Sequence, residues 1–355
     1  MSSQRYSPHR LYRAMTGALL RRGVSERHAA YVADGLLEAS LRGVDTHGVR
    51  LFATYLSELD GGRAKARPEL SWTSGAPATR VLDAGGALGL VAGRIGCDAA
   101  VELAKEHGVG VVVVKNSNHF GPASYYTLQM ARAGAIGFSC TNSDALVAPF
   151  SGRDPFIGTN PLSLAALGND GDTFCADLAT SQISYSKVKH KLRQGEALES
   201  GWAVAEDGTD AGGQSEGQVA ALKPLGGYKG QCLGMMVEVL SAVLAGEPLD
   251  HELSHLYEPP YDRPRRVAHF FLAMDLPAFT DPDAFRGRLS SLCRQVRDQD
   301  AVGDEPVVVP GDPEAASTTE RRQQGIPLLD SEVSWLPAEE KLAEEEAAKR
   351  NEQRH

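Results

Sequence analysis

The sequence lacks both glycine signatures that are typical of nucleotide-binding loops. Neither G-x-G-x-x-G nor G-x-x-x-x-G-K-[ST] occurs in its 355 residues. The first signature holds a dinucleotide pyrophosphate in a Rossmann fold, and the second holds nucleoside triphosphates. Any nucleotide that binds this chain must therefore be held in another way.

Long apolar runs and paired cysteines are missing as well. No stretch approaches the roughly 20 apolar residues that a membrane-spanning helix needs, and the N-terminal MSSQRYSPHRLYRAM has no apolar secretory segment. The five cysteines include no C-x-x-C pair, which favours a reducing compartment. We therefore expect a cytoplasmic protein with no membrane partner.

Positive charge is in short supply. The chain has 36 basic and 46 acidic side chains, a net charge of -10, which argues against nucleic acid as a partner. Apolar residues make up 42% of the chain, enough for one large domain or two ordinary ones. A small neutral or anionic substrate remains compatible, because a site needs only local positive charge.

The pattern of elements predicts an α/β protein. Apolar periodicity and serines at residues 7 and 25 that can cap helices indicate a helical hairpin in the first forty residues. From about residue 79, strands such as VGVVVVKNS alternate with helices. We place an N-terminal helical subdomain at 1–75, an α/β catalytic and cofactor-binding core at 76–300, and a C-terminal extension with a charged tail at 301–355. After Asp298 the chain is expected to be loop-like with VVVPGDPEAA, and its end, PAEEKLAEEEAAKRNEQRH, to be a charge-dense solvated helix or frayed tail.

The segment CLGMMVEVLSAVLAG is the most apolar helix of the sequence. Its apolar residues recur with a period of 3.6 residues, and Glu238 is its one charge. We interpret it as a core helix.

The string HELSH at 251–255 matches the H-E-x-x-H pattern of zinc hydrolases. Such an enzyme needs both histidines on one helix and a third ligand downstream. Here prolines closely flank the string and the expected third histidine is absent, with only His269 available at an unusual spacing. A surface helix end is the preferred interpretation, with no bound metal; a zinc hydrolase stays as the alternative.

Two other histidines lie in contexts that favour chemistry. His119 follows a buried strand in VVVVKNSNHFGPASYY, and His47 lies with Arg50 in the loop VDTHGVR. An imidazole titrates near neutral pH and can exchange the proton that accompanies hydride transfer at a carbonyl. An arginine can bind a substrate carboxylate. A structural role remains the alternative for each histidine.

Further polar residues follow other predicted strands. The segments TNSDALVAPFSG, GTNP and ADLATS end apolar runs with small polar side chains, and Asp177 is a carboxylate set directly in such a run. In PLGGYKGQCLG, Lys229 precedes the apolar helix, where it and the helix N-terminus could receive a phosphate. An exposed lysine in a turn is the competing interpretation.

Taken in order, the segments DTHGVR, NSNHFGPASYY, NSDALVAPFSG, GTNPL, DLATS, SYSKVK, PLGGYKG and LGMMVEVLSAVLAG resemble the malate/L-lactate dehydrogenase type 2 family. The resemblance runs to about residue 315. The family also contains ureidoglycolate dehydrogenases, sulfolactate dehydrogenases and piperideine-2-carboxylate reductases. Membership implies a non-Rossmann NAD(P)-binding fold, NAD or NADP as cofactor, and a homodimer or higher even oligomer.

The resemblance also implies roles for individual residues. His119 corresponds to the proton donor or acceptor, and His47 and Asp177 belong with it in the catalytic group. Arg50 corresponds only loosely to a substrate-binding position, because many relatives have H-G-V-x-R where this chain has H-G-V-R-L. Thr159 and Asn160 lie beside the substrate. The cofactor-contacting positions are Ser143, Asp177, Leu178, Ala179 and Lys229.

Several choices stay open at this point. The substrate could be a 2-oxo acid, a cyclic imine carboxylate or a ureidoglycolate-type compound, and the chain could also be a catalytically idle binding protein. Lys187, Lys189 and His190 could meet the 2′-phosphate of NADP or form a solvated basic face.

Overall fold

The computed structural model describes residues 4–169 and 171–352. The helices are α1 (Pro8–Arg21), α2 (Glu26–Leu41), α3 (Phe52–Asp60), α4 (Gly89–His107), α5 (Ala123–Arg132), α6 (Tyr185–Arg193), α7 (Tyr228–Glu238), α8 (Pro282–Arg297), α9 (Asp312–Gln324) and α10 (Leu336–Glu352). The strands are β1 (Gln4–Tyr6), β2 (Ser71–Ala76), β3 (Thr79–Asp83), β4 (Val109–Ser117), β5 (Ala135–Thr141), β6 (Ala145–Val147), β7 (Ile157–Gly158), β8 (Leu162–Leu167), β9 (Thr173–Leu178), β10 (Ala203–Val204), β11 (Ala221–Leu222), β12 (Val267–Asp275) and β13 (Ile326–Leu328).

A seven-stranded mixed sheet forms the centre of the molecule, in the order β2-β3-β4-β12-β5-β8-β9. Within the described residues, β3 and β4 are parallel and the other neighbouring strands of this sheet are antiparallel. The apolar run in β4 is explained by its central position, since Val112 and Val114 are fully buried. The prediction of an α/β protein is confirmed.

Helices cover the central sheet and form the main core with it. Helix α4 packs on β4 and β12, and α5 packs on β5 and β8. Small residues allow α4 to lie close to the strands; a Cβ at Gly96 would meet the Val114 side chain at 2.6 Å. Among the described residues, no helix is both long and apolar enough to cross a membrane.

A small second sheet, β10-β11-β6-β7, builds the region around residues 145–222. Its apolar side chains, including Val147, Ile157, Val188 and Leu222, form a separate cluster with α6. This sheet lies next to the central sheet along the chain, because β5 leads into β6 and β7 leads into β8.

The two ends of the described chain pack together. Strand β1 pairs with β13 in an antiparallel ladder, and α10 packs against α1. Arg321 of α9 donates a hydrogen bond to Asp45 at 3.0 Å, which fastens α9 to the turn that follows α2. The prediction of a loop-like region after Asp298 is wrong over Asp312–Gln324. This helix buries none of its residues, so it shows no apolar period.

Helix α7 continues through a π-helical segment, Val239–Val243. Its inner face buries Gly234, Val237 and Ser241. The prediction of a core helix is wrong for the opposite face, where five apolar side chains are each about half exposed: Met235, Met236, Val239, Val243 and Leu244. The apolar periodicity predicts an apolar helix surface, but only one face of the helix packs against the rest of the described chain.

Candidate active site

His47 and His119 lie face to face. The chain leaves β4 at Ser117, so His119 falls between that strand and α5, and His47 lies in the 3-10 turn Asp45–His47 after α2. Their ring centroids are 5.5 Å apart and the ring planes differ by 17°. The structure thus brings together two histidines that are 72 positions apart in the sequence.

One nitrogen of the His119 ring is held by two contacts. The Tyr55 hydroxyl lies 2.8 Å from Nδ1, and the Gly121 backbone nitrogen lies 3.4 Å from the same atom. Burial raises the pKa of Tyr55 well above 10, so its hydroxyl keeps its proton. A phenol oxygen both donates and accepts, so the Tyr55 contact forms with either neutral tautomer of His119, and the tautomer with its proton on Nδ1 leaves Nε2 free.

Both histidines are held in the neutral form. Burial lowers the pKa of His119 well below 6.5, and the nearby His47, Arg265 and His269 lower it further. Burial, and to a lesser extent Arg50, lowers the pKa of His47 to about 4. At neutral pH both imidazoles are therefore uncharged.

A pocket of about 150 Å³ opens beside His47 and the residues 121–124 that follow His119. Its wall includes His47, Thr159, Asp177, Leu178 and Ala179, five of the predicted positions. The Ser124 backbone N–H at the start of α5 donates to the Asp177 carboxylate at 2.9 Å and fixes its direction.

Ser143, Thr159 and Asn160 form a hydrogen-bonded corner at the edge of this pocket. The Thr159 N–H donates to the Ser143 hydroxyl at 3.0 Å, and the Ser143 N–H donates to the Asn160 side-chain oxygen at 3.1 Å. Asn160 has φ +35°, which a non-glycine residue adopts only when its surroundings hold it there. The three residues therefore form one unit.

Arg50 and Lys229 are not brought to this pocket by the described contacts. Arg50 donates to the Ser186 hydroxyl at 3.0 Å and lines a separate pocket of about 490 Å³ with Lys189 and His190. Lys229 is exposed in the first turn of α7. Both assignments to substrate and cofactor stay predictions.

Four residues near the histidines were missed by the sequence analysis: Tyr55, Glu58, Asp144 and Arg265. Arg265 is 3% exposed, forms a salt bridge with Asp144, and is close enough to lower the pKa of His119. Glu58 is fully buried, 3.7 Å from Arg63, and burial raises its pKa to about 7. The three-residue spacing of Tyr55 and Glu58 was the available signal, since it places both on one face of α3.

The HELSH histidines do not share a helix. His251 lies in the short 3-10 turn Asp250–Glu252 and stacks on Phe156 at 4.3 Å, while His255 lies beyond that turn with Nε2 3.7 Å from Asp144. His269 is fully buried between the Thr141 and Ser117 hydroxyls at 2.7 and 2.8 Å. Within residues 4–169 and 171–352, no group of three or more His, Cys, Asp or Glu side chains is arranged to hold a metal.

Comparison with known sequences points in one direction. The family described as malate/L-lactate dehydrogenase matches residues 6–336. A malate dehydrogenase of Pyrococcus abyssi is 33% identical over 335 residues, covering 92% of this chain and 91% of that protein. A ureidoglycolate dehydrogenase (NAD(+)) of Escherichia coli O157:H7 is 31% identical over 327 residues, covering 92% and 93%.

Solved structures agree with the sequence comparisons. A malate dehydrogenase from Entamoeba histolytica superposes with a TM-score of 0.88 at 30% identity, covering 96% of this chain and 98% of that one. A delta1-piperideine-2-carboxylate reductase from Pseudomonas syringae pvar. tomato superposes with a TM-score of 0.83 at 26% identity, covering 95% and 99%. These matches confirm the resemblance found in the sequence: the chain belongs to the malate/L-lactate dehydrogenase family and is an oxidoreductase.

Proposed function

We propose that this enzyme transfers a hydride between NAD or NADP and C2 of a small 2-hydroxy or 2-oxo acid, with His119 exchanging the accompanying proton. The observation that carries the proposal is the environment of His119. Tyr55 and Gly121 orient the ring through Nδ1, and a low pKa keeps it neutral. In the tautomer whose proton lies on Nδ1, with the Tyr55 oxygen accepting, Nε2 is free to take the proton of the hydroxyl group that is oxidised.

The donor set of the pocket fits a nicotinamide nucleotide. The hydroxyls of Ser143 and Thr159 and the carboxylate of Asp177 are polar groups of the kind that bind a carboxamide and ribose hydroxyls. When bound, the nicotinamide supplies or accepts the hydride. The protein holds the substrate carbon next to the nicotinamide, and His119 exchanges the proton at Nε2.

The carboxylate of the substrate needs a cation beside the histidines. The sequence predicts that it binds near His47 and Arg50; His47 is uncharged at neutral pH, and Arg50 and the buried Arg265 on the side of His119 are the cations that could serve. A carboxylate bound there would raise the pKa of His119, because an opposite charge favours the imidazolium. The empty site would then favour the base, and a site holding a 2-oxo acid would favour the acid.

The first test is a substrate screen with the purified enzyme. NADH and NADPH oxidation is followed with pyruvate, oxaloacetate, phenylpyruvate, sulfopyruvate and piperideine-2-carboxylate. We expect turnover with at least one of them, and the ratio of NADH to NADPH activity decides the cofactor. No absorbance change with any substrate would instead support an idle binding protein.

The second test is the His119→Ala variant. We expect kcat to fall by about 10²- to 10⁴-fold, the range that general acid–base catalysis contributes. His251→Ala is the matched control and should leave kcat within about twofold, because an exposed side chain away from the site has little effect. Near-normal turnover of His119→Ala would refute the assignment. Stoichiometric zinc by elemental analysis would favour the zinc hydrolase, whereas we expect EDTA not to abolish activity.

A cyclic imine carboxylate or a ureidoglycolate-type compound is the second candidate substrate. The likeness to a reductase and to a dehydrogenase with these named substrates supports it. The chemistry at His119 would be the same, with the proton going to nitrogen in the imine case. Turnover of piperideine-2-carboxylate above that of the 2-oxo acids would favour this candidate.

The proposal includes features of the whole enzyme. Cofactor binding without a Rossmann fold is supported by the mostly antiparallel central sheet. A homodimer or higher even oligomer is supported by the exposed apolar face of α7, because a monomer rarely exposes several large apolar side chains together. The division at residues 75 and 300, with an N-terminal helical subdomain, and the cytoplasmic location also remain proposals.

A further inference from the structure

Asp250 immediately precedes the HELSH string and is fully buried. One carboxyl oxygen, Oδ2, accepts two hydrogen bonds of 2.7 Å, from the Gly158 backbone N–H and from the Asn160 side chain. The other oxygen, Oδ1, is buried without a donor. A buried carboxylate oxygen with no donor is costly, so this carboxyl calls for an explanation.

Glu238 of α7 provides that explanation. Its carboxylate accepts the Asp250 backbone N–H at 2.9 Å, which brings Glu238 next to Asp250. Two carboxyl groups bond only when one of them carries a proton. A proton on Oδ1 of Asp250, donated to Glu238, would satisfy both oxygens of the Asp250 carboxyl group.

The Asp250 pair is joined to the edge of the pocket by Asn160. The Asn160 amide nitrogen donates to Asp250 and to the Gly234 carbonyl at 3.0 Å, and its oxygen accepts from Ser143. There is little space for rearrangement here, since a Cβ at Gly158 would meet the Asn160 side-chain oxygen at 2.4 Å. Asp250 therefore sets where Asn160, and with it Ser143, can lie.

We infer that Asp250, sharing one proton with Glu238, is a positioning residue that holds the corner of Ser143, Thr159 and Asn160 in place for the cofactor. The inference rests on the proposed function, since that assigns Ser143 to the cofactor. Asp250 touches neither substrate nor cofactor in this scheme. It acts by holding the hydroxyl groups of Ser143 and Thr159 at fixed positions at the edge of the pocket.

The protonation of Asp250 follows from its surroundings. Burial, then the negative charge of Glu238, raises the pKa of Asp250 to about 7. Glu238 is the titratable group that acts on it, while Gly158 and Asn160 act against the shift by donating hydrogen bonds. Above about pH 7 the two carboxylates repel each other in a buried site, and the corner should loosen.

The Asp250→Asn variant separates this role from a passive one. The amide oxygen can accept from Gly158 and Asn160, and the amide nitrogen can donate to Glu238, so the variant resembles the protonated acid at every pH. Asp262→Asn removes a carboxylate from an exposed position in the same segment and is the matched control.

The first measurement uses the protein without cofactor. A carboxyl group whose pKa is raised on folding from 3.8 to about 7 makes stability fall as pH rises through that interval and level off above it. The unfolding midpoint of the wild type should therefore drop relative to Asp250→Asn between about pH 5 and about pH 7, while Asp262→Asn tracks the wild type. Parallel curves for wild type and Asp250→Asn would overturn the shared proton.

The second measurement is NADH binding by fluorescence titration. From about pH 6 to about pH 8.5 we expect the NADH dissociation constant of the wild type to rise about fivefold and that of Asp250→Asn to stay constant. The ratio of the two dissociation constants should therefore rise about fivefold over this pH range. Glu58 titrates in the same range in both proteins, so their difference reports on Asp250. Equal pH dependence in the two proteins would overturn the positioning role.

The two measurements distinguish failure of this inference from failure of the proposed function. If NADH and NADPH bind the wild type at no pH, the proposed function fails, and with it the positioning role. The stability curves still decide whether Asp250 and Glu238 share a proton. If NADH binds and the pH dependence of its dissociation constant is the same in the wild type and in Asp250→Asn, only the positioning role fails.

Discussion

At the scale of single residues, His119 is defined by what contacts one of its two ring nitrogens. Tyr55 and Gly121 both contact Nδ1, and the ring of His47 stacks against one face. This arrangement fixes the plane of the ring. If His119 exchanges the proton as proposed, such preorganisation lowers the barrier, because the ring need not reorient during proton transfer.

Tyr55→Phe tests this role of the tyrosine. The variant keeps the aromatic ring, which is 1% exposed, and loses only the hydroxyl that contacts Nδ1 of His119. We expect kcat to fall about tenfold, corresponding to about 1.4 kcal/mol of transition-state stabilisation, with the KM for cofactor unchanged. Steady-state kinetics checks the split.

A matched control for Tyr55→Phe is Tyr31→Phe on α2, whose hydroxyl contacts Arg27 far along the chain from His119. It should leave kcat unchanged. An unchanged kcat in Tyr55→Phe, or a rise in KM alone, would show that the hydroxyl does not orient the base.

Local sequence was enough to find some residues of the candidate site and not others. His119, His47 and Asp177 follow regular elements in short polar segments, so each carries its own local signal. Arg265 and Asp250 reach the site from segments more than a hundred residues away from His119. Only the folded contacts make them neighbours, and no spacing rule could have indicated them.

At the scale of elements, the start of α4 determines how closely that helix approaches His119. A Cβ at Gly89 would lie 2.2 Å from the His119 carbonyl oxygen and 2.3 Å from that of Asn118. Both contacts are with backbone, which cannot rotate out of the way as a side chain could. A glycine at this position lets the helix contact the backbone of Asn118 and His119.

Gly89→Ala should therefore displace the loop that carries His119. We expect a loss of about 1–3 kcal/mol in the free energy of unfolding, the usual cost of overpacking, together with a lower kcat. Gly75→Ala is the control, because nothing lies within 4 Å of a Cβ there, and it should change stability by less than about 0.5 kcal/mol. Chemical denaturation and kinetics of both variants provide the check, and equal behaviour would contradict the close approach.

The elements show where periodicity is sufficient and where it fails. The sequence predicted β4 because a buried central strand has an apolar run. Helix α9 was missed because it buries no residue, and α7 was misjudged because periodicity indicates an apolar face without saying what covers it. The sequence pattern indicates whether a surface is apolar or polar, and only the structure shows what packs against that surface.

At the scale of the whole molecule, the half-exposed apolar face of α7 is the feature a single chain does not explain. Met235, Met236, Val239, Val243 and Leu244 project from one helix and its π-helical continuation. Burying them against a second copy would remove apolar surface from water at about 25 cal/mol per Å². The same helix supplies Glu238 and Gly234 to the network behind the pocket, so association and cofactor binding would share an element.

Val239→Glu should weaken the proposed homodimer. A carboxylate at the centre of this face would have to be desolvated on association, so we expect the monomer fraction to rise at micromolar concentration. Leu292→Glu is the control, since Leu292 is equally exposed on α8. Sedimentation velocity of the wild type and both variants decides the matter, and a wild type that is monomeric throughout would remove the proposal.

The closure of the chain's ends has a consequence for protein synthesis. Strand β1 pairs with β13, and Arg321 holds Asp45 in the same turn as His47. The ribosome makes the N-terminal partners of these contacts more than 270 residues before the C-terminal ones. During translation the turn with His47 therefore lacks its contact with Arg321 until α9 has been made. A nascent chain stalled before α9 would also leave β1 without its partner strand β13.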